Sequence, residues 1–257
     1  MLAPHARAAA VTVLLAATFA LPAAAVTLSP DGVALLGDGT SDELEPQLAG
    51  TVVADRLTRF RYTGWYDTDV TRPGQRRGLV FGTVESRVVR ADDGTFDFYW
   101  RITLPDRAFL PVARFSIDGF AIGDYNAGWR HDGGEVDAGT SPAYARAEAG
   151  RLSFAFGQYL PPSTLIVPGQ RSAWFFIDTA ATGYADTGRF TLTSERDGGG
   201  DMFTDWGGQS RSLPGFAPVF DASRQVLAAT SPVPEPGTWA LMGMGGLLLG
   251  LWRRRCA

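Results

Sequence analysis

Histidine, cysteine and paired carboxylates do most of the proton transfer, nucleophilic attack and metal holding that proteins perform near neutral pH. The 257-residue chain holds two histidines and one cysteine. His131 lies in Trp129-Arg130-His131-Asp132-Gly133-Gly134, a Gly-rich turn, and His5 lies close to Met1. A Ser-His-Asp site in the body would have to use His131. No G-x-S-x-G elbow accompanies it, and no H-E-x-x-H zinc helix occurs. His131 therefore reads as a loop histidine beside an acid. Zinc prefers imidazole and thiolate ligands, and the body offers one imidazole, the single Cys256 lying in the tail.

Oxygen chemistry is better supplied. Asp67 with Asp69, Asp92 with Asp93, and Asp197 with Asp201 and Asp205 could ligate calcium. Asp and Gly also build turns, and Gly198-Gly199-Gly200-Asp201 lacks the tandem repetition of a calcium β-roll. The expectation is no cofactor, with a structural calcium as its alternative. A hydrolytic carboxylate pair among the 27 acids would be identified only by its separation in space. Aromatic side chains offer flat faces to sugars: Trp65-Tyr66, Trp129, Trp174 and Trp206 all sit near Gly or Asp. Most aromatics of sheet proteins are core, because each buries ~150–250 Å². Trp174-Phe175-Phe176-Ile177 reads that way, which leaves Trp65, Tyr66 and Trp206, in Gly- and Asp-rich stretches, as candidate ligand contacts. The body is expected to be non-catalytic.

The elements that would position these residues are strands. In Thr95–Leu104, Phe96, Phe98, Trp100, Ile102 and Leu104 share one face and Asp97, Tyr99, Arg101 and Thr103 the other. Leu79–Arg90 precedes it across the turn Ala91-Asp92-Asp93-Gly94, which predicts a hairpin. Further strands are expected at Gly50–Asp55, Thr58–Thr63, Val112–Ile117, Tyr125–Arg130, Leu152–Phe156, Ser172–Asp178 and Arg189–Ser194. Ser141-Pro142 followed by alanines could open a short helix. The alternation of Tyr144, Arg146 and Glu148, continued by Leu152, Phe154 and Phe156, favours a hairpin turning at Ala149-Gly150. Nine or ten short strands with no βαβ alternation predict an all-β fold, an antiparallel sandwich or jelly roll.

Charge narrows the partners. Every one of the 23 basic residues is arginine, and nineteen lie between Val26 and Pro236 against all 27 acids, a formal charge of −8. An acidic body without a basic cluster excludes nucleic acid as the expected partner. With no cysteine in the body, no disulfide can support it, and the core must.

Both ends carry addresses. Residues 1–25 open with His5 and Arg7, run apolar from Ala8 to Leu21, and finish Pro22-Ala23-Ala24-Ala25. That is the pattern of a secretory signal peptide, with signal peptidase expected to cut between Ala25 and Val26 after the translocon. The body follows over 26–231. Residues 232–257 hold Pro234-Glu235-Pro236, fifteen mostly apolar residues from Thr238 to Trp252, and then Arg253, Arg254 and Arg255. The prolines keep the segment around Glu235 extended, as a protease requires. The apolar run spans about 22 Å as a helix at ~1.5 Å per residue, a short single crossing of a bilayer. The arginines hold its far end on the cytoplasmic side, leaving Pro-Glu-Pro outside.

Pro234, Glu235 and Pro236, the Gly-interrupted apolar run and the Arg253–Arg255 cluster together resemble the PEP-CTERM sorting signal. The resemblance covers about the last 25 residues. It implies an exported bacterial protein, held transiently in the inner membrane and processed near Pro-Glu-Pro by an exosortase, a transpeptidase-like membrane enzyme. It also implies a setting rich in exopolysaccharide. The expected function is a surface or extracellular-matrix (biofilm-associated) structural protein at the cell surface or released; the alternatives are a displayed carbohydrate-binding module and, after it, a secreted hydrolase.

Overall fold

The computed structural model describes residues 25–41, 43–67, 75–120, 125–131, 140–157, 165–194 and 208–220. The expected leader up to residue 24, the tail over 232–257, Trp206, Asp69, Asp197, Asp201 and Asp205 lie outside them. Twelve strands form: β1 (Val26–Leu28), β2 (Val33–Leu35), β3 (Gly50–Asp67), β4 (Gln75–Ala91), β5 (Phe96–Thr103), β6 (Arg114–Asp118), β7 (Tyr125–Arg130), β8 (Tyr144–Glu148), β9 (Arg151–Ala155), β10 (Trp174–Asp178), β11 (Gly183–Thr193) and β12 (Leu213–Val219). A 3-10 turn at Pro46–Leu48 is the one helical element among the described residues. Sheet A has the order β1-β7-β10-β5-β4-β3 and sheet B the order β12-β11-β6-β9-β8-β2. Every pairing between named strands is antiparallel. The expected antiparallel sandwich is what forms.

The alternation in β5 explains how the sheets meet. Phe98, Trp100 and Ile102 point from sheet A into the gap between the sheets, where Phe115, Ile117, Leu152, Phe154, Phe190 and Leu192 come from sheet B; all join one buried cluster. Phe175 of β10 stands at its centre, with ring centroids of Phe154 at 4.8 Å, Phe156 at 5.2 Å, Phe115 at 5.3 Å and Trp100 at 5.9 Å. Offset and edge-on rings at these distances add to the burial of their area.

Two hairpins match their sequence signals. β4 and β5 turn through Ala91–Gly94, where Asp93 Oδ1 accepts the Thr95 N–H at 2.9 Å and the Thr95 hydroxyl at 2.6 Å. β8 and β9 pair from Glu148↔Arg151 outward, and Ala149 and Gly150 both take positive φ (49° and 79°), so the hairpin forms in place of a helix.

Elsewhere the structure differs from the sequence expectation. Gly50–Asp55 and Thr58–Thr63 are not separate strands; a register shift between Val52 and Ala54 absorbs the irregularity and β3 runs unbroken. β1 and β2, three residues each, are too short for a period to show. β12 contains Pro214 and Pro218, which would argue against a central strand; it is the edge of sheet B, where missing N–H groups can face outward.

The outer face of sheet A is covered as well. Trp174-Phe175-Phe176-Ile177 is all buried, as read, but is divided between the two faces: Trp174 and Phe176 join Leu48, Val89 and Tyr99 in a second core cluster on the opposite face. Residues 43–49 lie over this cluster. Ser41 C=O accepts the Glu45 N–H at 2.9 Å, and Pro46, pre-set in φ, opens the 3-10 turn that places Leu48. Arg87 and Arg101 lie 4.6 and 4.4 Å from the Trp174 ring centroid, with Asp55 and Glu85 as their ion-pair partners at 2.8 and 2.7 Å.

If Phe175 centres the inter-sheet core, Phe175→Ala will cost about 3–5 kcal/mol. Leu57→Ala, at a position 61% exposed on β3, will stay within about 0.5 kcal/mol. Urea unfolding of the two variants measures both; equal midpoints would contradict the packing described.

Candidate functional site

A ladder of polar side chains crosses the outer face of sheet A. The register sets Thr27 of β1 opposite Asn126 of β7, and Asn126 opposite Asp178 of β10. Ile177 pairs with Phe98, so the next antiparallel step brings Asp178 beside Asp97 of β5. Thr27 Oγ1 donates to Asn126 Oδ1 at 3.2 Å and Asn126 Nδ2 donates to Asp178 Oδ2 at 3.1 Å. The Thr179 N–H donates to Asp97 Oδ1 at 3.3 Å. Asp97 is 0% exposed, and its Oδ2 meets no N–H or O–H donor.

Burial, and then the charge of Asp178, holds the Asp97 carboxyl well above the usual carboxylate range, with Asp93 adding a little more. Burial raises Asp178 too. Asp178 thus pushes Asp97 up, while Asp97 and the Asn126 amide pull Asp178 partly back.

Glu45, 5% exposed, belongs to the same region. Its Oε1 accepts the Ala25 backbone N–H, and its Oε2 has no partner. Desolvation raises its carboxyl above the ordinary value, the Ala25 hydrogen bond pulls it partly back, and the charge of Asp178 pushes it up again. The surroundings are apolar or aromatic. The Tyr99 hydroxyl donates to Leu48 O at 3.3 Å, and Arg130 donates to the same oxygen at 3.4 Å while lying 5.6 Å from the Tyr99 ring.

A second feature is an open groove of about 660 Å³ toward the free edge of sheet A. β3 reads Arg59-Phe60-Arg61-Tyr62, and its alternation sends Phe60 and Tyr62 inward and both arginines outward. Arg61 stands opposite Phe81 on the outward face, and Phe60 stands opposite Gly82 on the inward one. A Cβ at Gly82 would meet Thr103 O at 2.2 Å. Arg107 closes the lining from the β5–β6 loop, so three guanidiniums surround an aromatic floor.

The residues singled out from sequence are scattered. Trp65 and Tyr66 lie in β3, not in a loop, with their backbones paired to Arg77 and Arg76; β3 and β4 continue as a two-stranded ribbon beyond the reach of β5. His131, exposed at the end of β7, sets its ring edge-on to Trp129 at 4.5 Å, and its backbone N–H donates to Thr40 O at 2.9 Å. Trp129 Nε1 donates to Gly37 O at 3.0 Å. Asp93 serves its turn. Among the described residues no three His, Cys, Asp or Glu side chains are grouped as a metal site. Asp97 and Asp178 escaped notice because strand alternation puts them on the polar side; only the covering segment 43–49 makes that side dry. Arg59 and Arg61 carry a usable signal in the Arg-Phe-Arg-Tyr alternation.

The Asp97 proton has a measurable consequence. A carboxyl whose folded pKa lies above its unfolded one leaves the fold unpenalised at acid pH and destabilises it as pH rises from about 4 toward about 8. Asp178, Glu45 and Asp93 face Asp97 as acids, Tyr99 is its neighbour on β5, and Arg130 lies beyond Tyr99. Asp97→Asn keeps an acceptor for Thr179 and removes the titrating group. It is expected to stabilise the protein at pH 8 by on the order of 1–3 kcal/mol and to be neutral near pH 4. Thermal midpoints across that range test this; a gain that does not grow with pH would contradict the raised carboxyl.

The tail lies outside the described residues, and no helix among those described is long and apolar enough to cross a membrane. A search of curated proteins and a search of solved structures return no match to the chain. Comparison with family models does: residues 232–255 match the PEP-CTERM protein-sorting motif. That segment contains Pro234, Glu235 and Pro236, the apolar run and Arg253 to Arg255. The motif is that of exported proteins with a membrane-anchoring tail processed by an exosortase, a membrane enzyme. This chain carries, at residues 232–255, a PEP-CTERM protein-sorting motif.

Proposed function

We propose that the chain is an exported surface or extracellular-matrix protein whose sandwich is a non-catalytic structural body. Signal peptidase releases the leader over residues 1–25 after translocation. The tail then holds the body at the outer face of the inner membrane until an exosortase cuts near Pro234-Glu235-Pro236, and the body passes to the cell surface or beyond, in an exopolysaccharide-rich biofilm setting. One observation carries this reading: the sorting-motif match covers the three tail features that membrane physics assigns to a cut site, a crossing and a cytoplasmic stop. A body that folds without disulfides and keeps a doubly covered sheet suits a structural role outside the cell.

A carbohydrate-binding role is the second reading, and the groove on β3 and β4 favours it. Arg59, Arg61 and Arg107 around Phe81 offer charge to carboxylates and a ring face to a sugar, on a body that is otherwise acidic. The ligand class is then an anionic polysaccharide.

Intact mass tests the first reading. The wild-type protein will lose roughly the last 20 residues in its native host, and replacement of Pro234-Glu235-Pro236 by three alanines will leave the tail in place and the protein in the membrane fraction. Retention of the tail by both would sink the processing claim. For the second reading, polygalacturonate will bind the wild type in a salt-sensitive manner and neutral dextran will not. The Arg59→Ala, Arg61→Ala, Arg107→Ala variant will bind the polyanion at least tenfold more weakly; unchanged affinity would remove the groove from consideration.

A further inference from the structure

The chain enters sheet A next to a set of carboxyls that lack a counter-ion. β1 begins at Val26, and the N–H of the preceding Ala25 donates to Glu45 Oε1. That peptide group is a neutral donor with one hydrogen. It leaves Glu45 Oε2 buried without a partner, and Asp178, whose charge reaches Glu45, lies two strands away across β7. Among the described residues the hydrogen-bond donors to Glu45, Asp97 and Asp178 are the Ala25 and Thr179 N–H groups and the Asn126 amide; none is a cation. A cluster of this kind, even with Asp97 protonated, retains negative charge in a dry place. The leader is expected to be cut at this same point in the chain.

We propose that the carboxyl cluster of Glu45, Asp178 and Asp97 is the binding site for the protein's own α-ammonium group, created when the leader is removed. The inference rests on the leader reading above. Hydrolysis breaks the peptide C–N bond: water gives its hydroxyl to the carbonyl carbon and a proton to nitrogen, and the proton of the new carboxyl completes the ammonium. One neutral donor becomes a cation with three donors, enough to serve Glu45 Oε1 and the orphaned Oε2 together. Cleavage before Ala25 leaves the nitrogen in contact with Glu45. Cleavage at the expected Ala25–Val26 bond moves it one strand residue, about 3.4 Å, a shift that the three rotatable bonds of the Glu45 side chain cover.

The pairing ties export to folding. The precursor has an uncompensated acid cluster at the edge of sheet A, and β1 holds there through three paired residues. The processed chain closes that edge with an ion pair. An α-amine so paired has a raised pKa, so its stabilisation is present below about pH 8 and is lost as pH rises through the folded value. Glu45 faces it directly, Asp178 acts on Glu45 from β10, Asp97 and Asp93 lie beyond Asp178, and Tyr99 and Arg130 stand beside Asp97.

The sequence makes the test unusually clean: the chain contains no lysine, so the α-amine is its one primary amine. N-terminal sequencing of the secreted protein is done first. A start at Ala25 or Val26 supports the leader reading; a retained Met1 or a start deep in the body overturns that reading and this one with it. Reductive methylation with ¹³C-formaldehyde then gives one amine signal to titrate by NMR. In the wild type it is expected at least one unit above the ordinary ~7.7–8.0 of an α-amine, and the unmodified amine is expected to acylate at pH 7.5 at least tenfold more slowly than in Glu45→Gln. Should Glu45→Gln fail to fold, the wild-type titration decides alone. With the correct start residue, an ordinary amine titration would overturn the ion pair while leaving the leader reading intact.

Discussion

The rest of the structure depends on burial of sheet A from both sides. An antiparallel sheet needs an apolar cover on one face and can leave the other to water. Here β5 and β10 are covered twice: Phe98, Trp100, Phe175 and Ile177 press against sheet B, while Tyr99, Trp174 and Phe176 are sealed by Leu48 and its 3-10 turn. The second cover puts aromatic bulk on a face that strand alternation would give to solvent. It also traps polar residues that share that face. Burial holds the Asp97 and Asp178 carboxyls above the usual carboxylate range, and Glu45, on the covering segment itself, is drawn into their field.

The second cover also bears on a chain with no disulfide to draw on. Arg87 and Arg101 extend it at the rim, each pairing with an acid on a neighbouring strand and stacking on Trp174. Guanidinium suits this task better than ammonium, since its planar, weakly hydrated head packs on a ring while its N–H groups engage a carboxylate. An all-arginine basic complement is consistent with positive charge used in packed pairs.

Legibility followed the range of the interaction. The β4–β5 and β8–β9 hairpins could be read because their signals, alternation and a turn residue, are local to each segment; so could the sandwich they imply. β1, β2 and β12 could not. The first two are three residues long, and β12 contains prolines that only its edge position excuses. The burial of Asp97 was hidden for a stronger reason: it depends on Leu48, some fifty residues earlier, lying across β5, and nothing in Phe96-Asp97-Phe98 announces that contact. Glu45 was equally silent, as one acid among 27. The Arg59–Arg61 alternation was legible as a strand, but the groove required Phe81 of β4 opposite Arg61 and Arg107 from the β5–β6 loop. The tail needed no tertiary contact to be recognised, because a membrane reads it as a linear string.

The edges of the sandwich show how two kinds of processing can act on one body. β1 is an edge of sheet A and packs beside β2, an edge of sheet B. β12 is the other edge of sheet B and meets β3, the other edge of sheet A, where Arg56 lies 4.6 Å from the Phe216 ring centroid and pairs with Asp186 of β11 at 2.9 Å. The described chain therefore enters the fold at one side, at β1, and its last strand, β12, lies at the opposite side. A strand at an edge has one neighbour, so events at its terminus change one ladder and leave the aromatic centre around Phe175 untouched. The chemistry of the two termini differs accordingly. At the β1 side Glu45 accepts the Ala25 N–H; at the β12 side Pro214 and Pro218 withhold two donors from the ladder, so the strand ends without inviting another to pair.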